Sequence, residues 1–233
     1  MGLIIEPNIE IKLRSFVDLI YHTNKKFNLT GFHSKEDIFK NLIISSIDPV
    51  FNINVPRGTL FADIGTGSGI PGIVFGIYFR NIKGLLIESN QKKADFVNSV
   101  IKELGLKNLG VICDRVENVA KKKGHRELYD WTFSRAFGDL YIALEVGVPL
   151  LNLNGIFFVY SNKLDIDLSK VMLDHANALG VTLLNEEERE ELKITQPGFV
   201  FKKVKSSPLK YPRRFSVIKR EVSIIEGKQK EGK

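Results

Sequence analysis

The segment ADIGTGSGIPG, residues 62–72, places four glycines and a proline directly behind an acidic residue. It continues a run, 59–64, whose β-branched and aromatic residues favour a strand. Gly65, Gly67 and Gly69 remove side chains at points where a ligand would approach the backbone, and the Pro-Gly pair that follows suits the first turn of a helix. A strand, a glycine-rich turn and a helix in this order predict a ligand-binding βα turn, or else a tight turn that binds nothing.

Apolar runs of strand length alternate with helical patterns from residue 58 onward. Predicted strands lie at 59–64, 84–88, 109–113, 129–134 and 155–160, and the helices that follow them lie at 71–79, 91–104, 115–122, 139–150 and 165–179. Repeated βα units specify an α/β fold with a doubly wound, mostly parallel sheet, whose ligands bind beyond the carboxyl ends of the strands. After residue 180 we expect two further strands around an acidic loop, 186–191. They form an antiparallel edge pair and complete a seven-stranded sheet.

Two amphipathic helices are predicted ahead of this core. Apolar residues recur at three- and four-residue intervals over 8–27, and Ser34 begins a capped helix that stops at Pro49. The chain therefore divides into an N-terminal helical extension, 1–57, a core, 58–206, and a basic C-terminal tail, 207–233, within one structural domain.

Composition excludes several classes of protein. No run of about 18 apolar residues is present, and the start MGLIIEPNIEIK has no signal-peptide pattern, so we expect a cytoplasmic monomer without membrane contact. The single cysteine, Cys113, rules out an internal disulfide and is expected to be a core residue. With four scattered histidines, the sequence predicts no metal site.

The positive charge is concentrated at the C-terminal end. Residues 202–233 contain eleven Lys and Arg against three Asp and Glu, a formal +8, whereas the rest of the chain contains 23 and 24. A polyanion is the partner that such a segment favours. Within KYPRRFSVIKR the cations alternate with aromatic rings, which predicts RNA contacts at Lys210, Arg213 and Arg214. The last seven residues are interpreted as a solvated, partly disordered tail.

Two ligands fit the glycine-rich turn, a dinucleotide and S-adenosylmethionine. The turn contains a literal G-x-G-x-x-G, a pattern that is weak by itself. Counted from the strand, however, the first glycine is Gly65, and Ile70 then stands where a dinucleotide fingerprint has its third glycine. Asp63 at the strand end would repel a pyrophosphate and attract the ammonium and sulfonium groups of S-adenosylmethionine. S-adenosylmethionine is therefore the favoured cofactor.

Residues at the ends of the next strands are candidate partners for the same ligand. Glu88 would accept hydrogen bonds from both ribose hydroxyls, or cap the following helix. After the third strand, Val116 and Glu117 or the carboxylate of Asp114 would meet the adenine edge, and an ordinary helix cap at Asp114 is equally open. Arg135 would hold a cofactor carboxylate or an RNA phosphate, or pair with a neighbouring acid.

Seven segments of the chain resemble the RsmG family, also called GidB, the bacterial methyltransferases for guanine N7 in the 530 loop of 16S rRNA. They are KFNLT at 26–30, DIGTGSGIPGI at 63–73, LIESNQKKADF at 86–96, LGLKNL at 104–109, RVEN at 115–118, SRAF at 134–137 and YPRR at 211–214. The resemblance implies a class I S-adenosylmethionine-dependent methyltransferase fold with a Rossmann-like core. It also implies 16S rRNA or the 30S ribosomal particle as partner. The cofactor contacts that it implies are Gly65, Ile70, Val116, Glu117 and Arg135.

Two departures from the family pattern are present. The family reads close to R-H-[IL]-L-D-S where this chain has NLIISS, so Asn41, Leu42 and Ser45 replace Arg, His and Asp. In addition, YPRRFSV lacks the glycine- or proline-rich turn expected after YPR. An RNA-binding factor that has lost turnover is therefore an alternative. A nicotinamide-dependent oxidoreductase is a further one, disfavoured by Asp63 and Ile70.

Methylation at guanine N7 needs no catalytic base, because N7 carries an unprotonated lone pair at neutral pH. The protein has to hold N7 in line with the methyl group and the sulfur, so the lack of a nucleophile motif is consistent with this chemistry. Candidates for a face against the target base are Arg135, Phe137, Tyr160 and Lys163. Asn28 is interpreted as a helix cap in preference to a substrate contact.

Overall fold

A seven-stranded sheet forms the centre of the computed structural model, which describes residues 5–50, 53, 55–161, 170–195 and 198–231. The strands are β1 Leu60–Ile64, β2 Lys83–Glu88, β3 Leu109–Cys113, β4 Tyr129–Arg135, β5 Leu151–Tyr160, β6 Val181–Leu183 and β7 Phe199–Lys203. Their order is β3-β2-β1-β4-β5-β7-β6. Only β7 runs antiparallel to its neighbours, β5 and β6. The predicted mostly parallel sheet with an antiparallel edge pair is confirmed.

Ten α-helical segments surround the sheet in the described part of the chain. They are α1 Pro7–Asn24, α2 Lys35–Ile38, α3 Ser45–Ile47, α4 Gly72–Tyr78, α5 Gln91–Glu103, α6 Val116–Val119, α7 Leu140–Gly147, α8 Lys170–Leu179, α9 Glu186–Glu191 and α10 Phe215–Glu231. The start of the helix predicted at 165–179 lies outside the described residues. No helix of the described part is long and apolar enough to cross a membrane.

The N-terminal extension is helical as expected, but its second helix is not a regular α-helix. After α2, which Ser34 caps through a hydrogen bond from the backbone N–H of Asp37 (3.0 Å), residues Phe39–Ile44 form a π-helical turn. The chain then continues through α3 into a 3-10 turn at Asp48–Val50. π-Helical turns are rare and occur often at functional sites, because the wider turn changes which backbone carbonyls are free.

Both faces of the sheet are buried, since successive side chains of a strand point to opposite sides. Phe61 packs with Phe133 and Phe75 on the face covered by the N-terminal extension, α4 and α5. Ala62 and Ile64 belong to the apolar cluster on the other face, which α7, α8 and α10 cover. Asp63 and Arg135 share the parity of Phe61 and Phe133, so both point towards the side of the N-terminal extension.

The acidic segment 186–191 is helix α9, so its prediction as a loop is wrong. The reason is a capping box. Asn185 accepts a hydrogen bond from the backbone N–H of Glu188, and the carboxylate of Glu188 accepts one from the N–H of Asn185. Three glutamates in the first turn also interact favourably with the helix dipole.

The C-terminal segment is more ordered than its composition indicates. Helix α10 extends to Glu231, so the interpretation of 227–231 as a disordered tail is wrong. Ile218 and Val222 of α10 are buried in the apolar cluster that contains α7 and α8. The helix is therefore part of the domain and is held by an apolar face.

Candidate cofactor and RNA site

The buried carboxylate of Asp63 holds the glycine-rich turn in place through hydrogen bonds. Its carboxylate is fully buried, and its Oδ2 accepts hydrogen bonds from Thr66 Oγ1 (2.5 Å) and from the backbone N–H of Gly72 (2.8 Å). The second oxygen, Oδ1, has no hydrogen-bond partner within the described residues. Burial raises the pKa of Asp63 from its ordinary value to about 7, against the effect of its two hydrogen bonds. One acceptor site of a buried carboxylate is thus left for a further donor.

The glycines of the turn have different roles. A Cβ at Gly65 would lie 2.4 Å from Phe137 Cδ2, and one at Gly69 would lie 2.4 Å from Ile73 Cδ1. A Cβ at Gly72 would lie 2.8 Å from Asp63 Oδ2. Gly67, with φ +59°, is the exception, because the nearest atom to its Cβ position is a backbone oxygen 3.8 Å away. Within this turn, the open space lies above Gly67, and the other glycines allow close internal packing.

Glu88 connects the end of β2 to the same turn. Its side chain is buried, and Oε2 accepts a hydrogen bond from the backbone N–H of Gly67 (2.9 Å). Oε1 accepts one from the N–H of Asn90 (2.8 Å), the residue that caps α5. Each oxygen keeps a lone pair for a further donor, so the contact at Asn90 does not exclude a ribose contact.

The segment after β3 forms the next wall of the crevice. Val116 and Glu117 are buried at the start of α6. Asp114 accepts hydrogen bonds from the backbone N–H of Arg115 (2.7 Å), from the side chain of Asn118 (2.8 Å) and from Lys122 (3.0 Å). The N-cap of α6 is Arg115, with no side-chain capping bond, so the interpretation of Asp114 as an ordinary helix cap is wrong. Asp114 supports α6 through the side chains of Asn118 and Lys122 instead.

Cys113 is exposed, so its prediction as a core residue is wrong. The physical reason is that β3 is an edge strand of the sheet, where one side of the strand has no neighbour. Within the described ranges, no three His, Cys, Asp or Glu side chains are grouped so that they could hold a metal ion.

Arg135, at the end of β4, is bound to the N-terminal extension. Nη1 donates hydrogen bonds to the carbonyl oxygen of Leu42 (3.3 Å) and to Ser46 Oγ (2.8 Å). Nη2 donates to the carbonyl oxygen of Asn41 (2.6 Å) and to Ser45 Oγ (3.0 Å). Burial lowers the pKa of the guanidinium, and the nearby charge of Asp63 opposes that shift. Arg135 therefore joins the π-helical turn to the carboxyl end of the sheet.

These contacts explain how the chain accommodates its departure from the family pattern at 41–46. Asn41 and Leu42 bind Arg135 through their backbone carbonyls, which any residue provides. Ser45 uses a hydroxyl where the family pattern has a carboxylate. Arg135 is thus bound to this segment with the residues that the chain has at these three positions.

The aromatic candidates lie at different depths. Tyr160 is buried, and its hydroxyl donates a hydrogen bond to the carbonyl oxygen of Ser46 (2.8 Å), so it braces the extension and has no exposed face for a base. Phe137 is partly exposed and lies against Gly65 at the mouth of the crevice. Lys163 lies outside the described residues. The C-cap of α1 is Lys25, so the interpretation of Asn28 as a helix cap is wrong. Asn24, the last residue of α1, holds the loop that follows by accepting hydrogen bonds from the N–H groups of Leu29 and Thr30.

The three predicted RNA contacts are not equivalent in the structure. Arg213 is half-buried and pairs with Glu145, which is completely buried, and with Glu221. Lys210 and Arg214 are exposed. The ring of Phe215, next to Arg214, lies 5.2 Å from the guanidinium of Arg115 at the start of α6. Arg214 is thus near the start of α6, and Arg213 anchors α10. Lys210 lies elsewhere, because Arg126, just before the amino end of β4, donates hydrogen bonds to the carbonyl oxygens of the residues around it, 207, 208 and 211.

Part of the C-terminal charge is also internal. Lys203, on β7, is fully buried, where its ammonium donates hydrogen bonds to the carbonyl oxygen of Val148 (3.0 Å) and to Ser207 Oγ (2.6 Å). Burial lowers the pKa of Lys203 to about 8, and the carboxylate of Glu127 opposes this shift. The formal charge of the segment therefore overstates what it presents to a polyanion.

The strand order, the glycine-rich turn after β1 and the acids that end β1 and β2 define a class I S-adenosylmethionine-dependent methyltransferase fold. Solved structures share it. A methyltransferase from Geobacter sulfurreducens has a TM-score of 0.50 at 13% identity, covering 87% of this chain and 94% of that one. The M. jannaschii TYW2 protein, solved in complex with AdoMet, has a TM-score of 0.51 at 16% identity, covering 70% and 75%.

The family is shown by sequence comparison. The family model GidB, described as rRNA small subunit methyltransferase G, matches residues 9–189. The Ribosomal RNA small subunit methyltransferase G of Desulforamulus reducens is 34% identical over 214 residues, which cover 90% of this chain and 88% of that protein. Its namesake from Mycoplasma capricolum is 31% identical over 218 residues, 93% of each chain. The chain belongs to the GidB family of rRNA small subunit methyltransferases.

Proposed function

We propose that this protein transfers a methyl group from S-adenosylmethionine to N7 of a guanine in the 530 loop of 16S rRNA. The assignment of S-adenosylmethionine as the cofactor is supported by the open space above Gly67, which lies near the carboxylates of Asp63 and Glu88. The acceptor rests on the family, since a cofactor crevice alone does not distinguish N7 from an amino or ribose acceptor. The substrate implies action in the cytoplasm, where ribosomes are.

The residues present fit S-adenosylmethionine. Asp63 Oδ1 is buried without a hydrogen-bond partner in the described part of the chain, and an ammonium group would satisfy it. Glu88 keeps lone pairs for two ribose hydroxyls, and the main chain of Val116 and Glu117 offers polar groups for an adenine edge. Ile70 is buried beside the turn and would contribute apolar contact. A pyrophosphate would meet the carboxylate of Asp63 here, which argues against a nicotinamide dinucleotide.

The chain has little acid or base chemistry to perform. S-adenosylmethionine would supply the methyl group, and the positive charge of its sulfonium would pass to the guanine ring. The protein has to hold guanine N7 in line with the carbon–sulfur bond, and orientation of this kind contributes about 7–11 kcal/mol to catalysis in well-aligned reactions. Phe137, partly exposed at the crevice mouth, is the candidate for stacking on a base that has left its own stack.

RNA contact is assigned to the exposed cations of the C-terminal segment, Lys210 and Arg214. A single exposed cation that neutralises a phosphate weakens binding when it is removed and lowers its salt dependence. Arg213 is excluded from this role because its guanidinium is bound to Glu145 and Glu221.

Transfer of labelled methyl from S-adenosylmethionine tests the proposal. The substrates are 30S particles lacking the modification and naked 16S rRNA, and the modified base is mapped by cleavage specific for N7-methylguanine. Label at the 530-loop guanine is expected. Binding of S-adenosylhomocysteine without any label would instead support an RNA-binding factor, and label at another atom would retain the cofactor while refuting the acceptor.

A further inference from the structure

The guanidinium of Arg135 has no free terminal N–H group. Each terminal nitrogen carries two hydrogens, and each makes two hydrogen bonds to the N-terminal extension, at distances of 2.6–3.3 Å. All four acceptors are neutral, namely two carbonyl oxygens and two hydroxyls. A half-buried cation is thus held by the extension without neutralisation by a hydrogen-bonded carboxylate.

Arg135 also lies beside the cofactor turn. Ile64 pairs with Ser134 across β1 and β4, so the next residues on the two strands are Gly65 and Arg135. The side chain of Arg135 points to the same face of the sheet as Asp63, which acts on it electrostatically. An anionic group bound above the turn would therefore be within the field of this cation.

We propose that the extension, through its π-helical turn and α3, and the carboxylate of the methyl donor compete for Arg135, so that Ser45 and Ser46 of α3 set the affinity of the protein for its donor. The proposal rests on the proposed function, because it requires S-adenosylmethionine in the crevice. A carboxylate accepts two parallel hydrogen bonds from a guanidinium, and these are stronger than hydrogen bonds to neutral oxygens. To make them, Arg135 gives up at least one acceptor of the extension.

The serine hydroxyls are the acceptors that mutation can remove. Ser45 Oγ and Ser46 Oγ each donate to the carbonyl four residues earlier and accept from Arg135. Without them two guanidinium hydrogens in a half-buried position lose their partners, and an unsatisfied donor in such a position is unfavourable. The donor's carboxylate satisfies those hydrogens. The double variant Ser45→Ala with Ser46→Ala is therefore expected to bind S-adenosylmethionine more tightly, not less.

Calorimetric titration of the full chain with two compounds tests whether the double variant binds the donor more tightly. S-adenosylmethionine and decarboxylated S-adenosylmethionine share the adenosine, the sulfonium and the amine, and only the first has a carboxylate. We expect the double variant to bind S-adenosylmethionine about 3–10-fold more tightly and the decarboxylated compound with unchanged affinity. Ser45→Thr, which keeps the hydroxyl, is the matched control and is expected to behave as the wild type.

Other outcomes overturn the inference. Equal loss of affinity for both compounds would show that the serines only support the fold, and a selective loss for S-adenosylmethionine would show that they help Arg135 to bind the donor. An unchanged donor affinity with weaker RNA binding would assign Arg135 to a phosphate. If neither donor binds the wild-type chain, the proposed function itself has failed, which is a distinguishable result.

Hydrogen exchange in the wild-type chain is an independent measurement that requires no mutation. Competition predicts faster exchange in residues 39–47 when S-adenosylmethionine is bound, and no such change with the decarboxylated compound. Protection of this segment by S-adenosylmethionine would refute competition.

Discussion

The carboxylate of Glu145, completely buried in α7, lies 2.6 Å from the guanidinium of Arg213, which precedes α10. Glu145 Oε1 also accepts hydrogen bonds from the backbone N–H and the Nε of Arg213 (2.9 and 2.8 Å). Glu221, on α10, contacts the same guanidinium and accepts a hydrogen bond from the hydroxyl of Tyr141. This network connects the C-terminal helix to the core. Because Arg213 is paired within it, this cation is not available to bind a polyanion.

Arg213→Gln is expected to destabilise the protein by about 3 kcal/mol, because it leaves the charge of Glu145 buried without its partner. Arg214→Gln, its exposed neighbour, is expected to change the unfolding free energy by less than about 0.5 kcal/mol. Urea denaturation of both variants measures the difference. Equal stabilities would show that the pair does not anchor α10.

Lys210→Gln together with Arg214→Gln is expected to weaken binding to 16S rRNA and to reduce the salt slope by about 1 for each phosphate that is no longer neutralised. Affinity for S-adenosylhomocysteine should stay unchanged. Lys102→Gln with Lys107→Gln removes the same charge at exposed positions at the end of α5 and in the turn that follows it, and it is the control. If both pairs lower the salt slope equally, the effect is one of net charge and not of a site.

Asp63→Asn retains an oxygen for Thr66 and Gly72 but removes the charge. Because the pKa of Asp63 is about 7, the wild-type carboxylate becomes ionised as the pH rises through 7, and the ammonium of the cofactor binds the ionised form. Affinity for S-adenosylhomocysteine should therefore increase with pH, by at most about tenfold per unit below pH 7, and level off above it. The variant should bind weakly and without this increase.

The pH dependence of the stability of the wild type and of Asp63→Asn checks independently that folding raises the pKa of Asp63. A carboxyl whose pKa is raised by folding binds its proton more tightly in the folded state, so its contribution to stability falls as the pH rises from its ordinary value of 3.8 towards 7. Asp63→Asn removes that contribution. The unfolding free energy of the variant, relative to that of the wild type, should therefore increase as the pH rises over this interval. Parallel pH profiles would contradict the raised pKa.

Gly67→Val is expected to abolish detectable cofactor binding, since its side chain would occupy the space above the turn. Gly105→Val is the control for backbone strain, because Gly105 has a similar φ (+63° against +59°) and no atom within 4 Å of its Cβ position. Gly105 follows α5, near the end of the sheet remote from the crevice. Both variants should lose similar stability, while only Gly67→Val loses S-adenosylhomocysteine in a calorimetric titration. Retained affinity would refute the assignment of the turn.

The alternation of strand and helix patterns, the glycine-rich turn and the acids that end β1 and β2 are local properties, so they can be read in the sequence. Such signals depend on side-chain period and on backbone sterics, which act between residues near in the chain. They predicted the sheet and its antiparallel edge, and the quoted family motifs predicted the family.

The tertiary structure decided the partners of charged and polar groups. Arg213 and Lys203 count as basic residues of the C-terminal segment in composition, yet Glu145 lies 68 residues from the first, and Val148 lies 55 residues from the second. The bond between Arg135 and Asn41 spans 94 residues. No local pattern encodes such pairs, because burial and the meeting of distant elements determine whether a cation faces solvent, a ligand or a carboxylate.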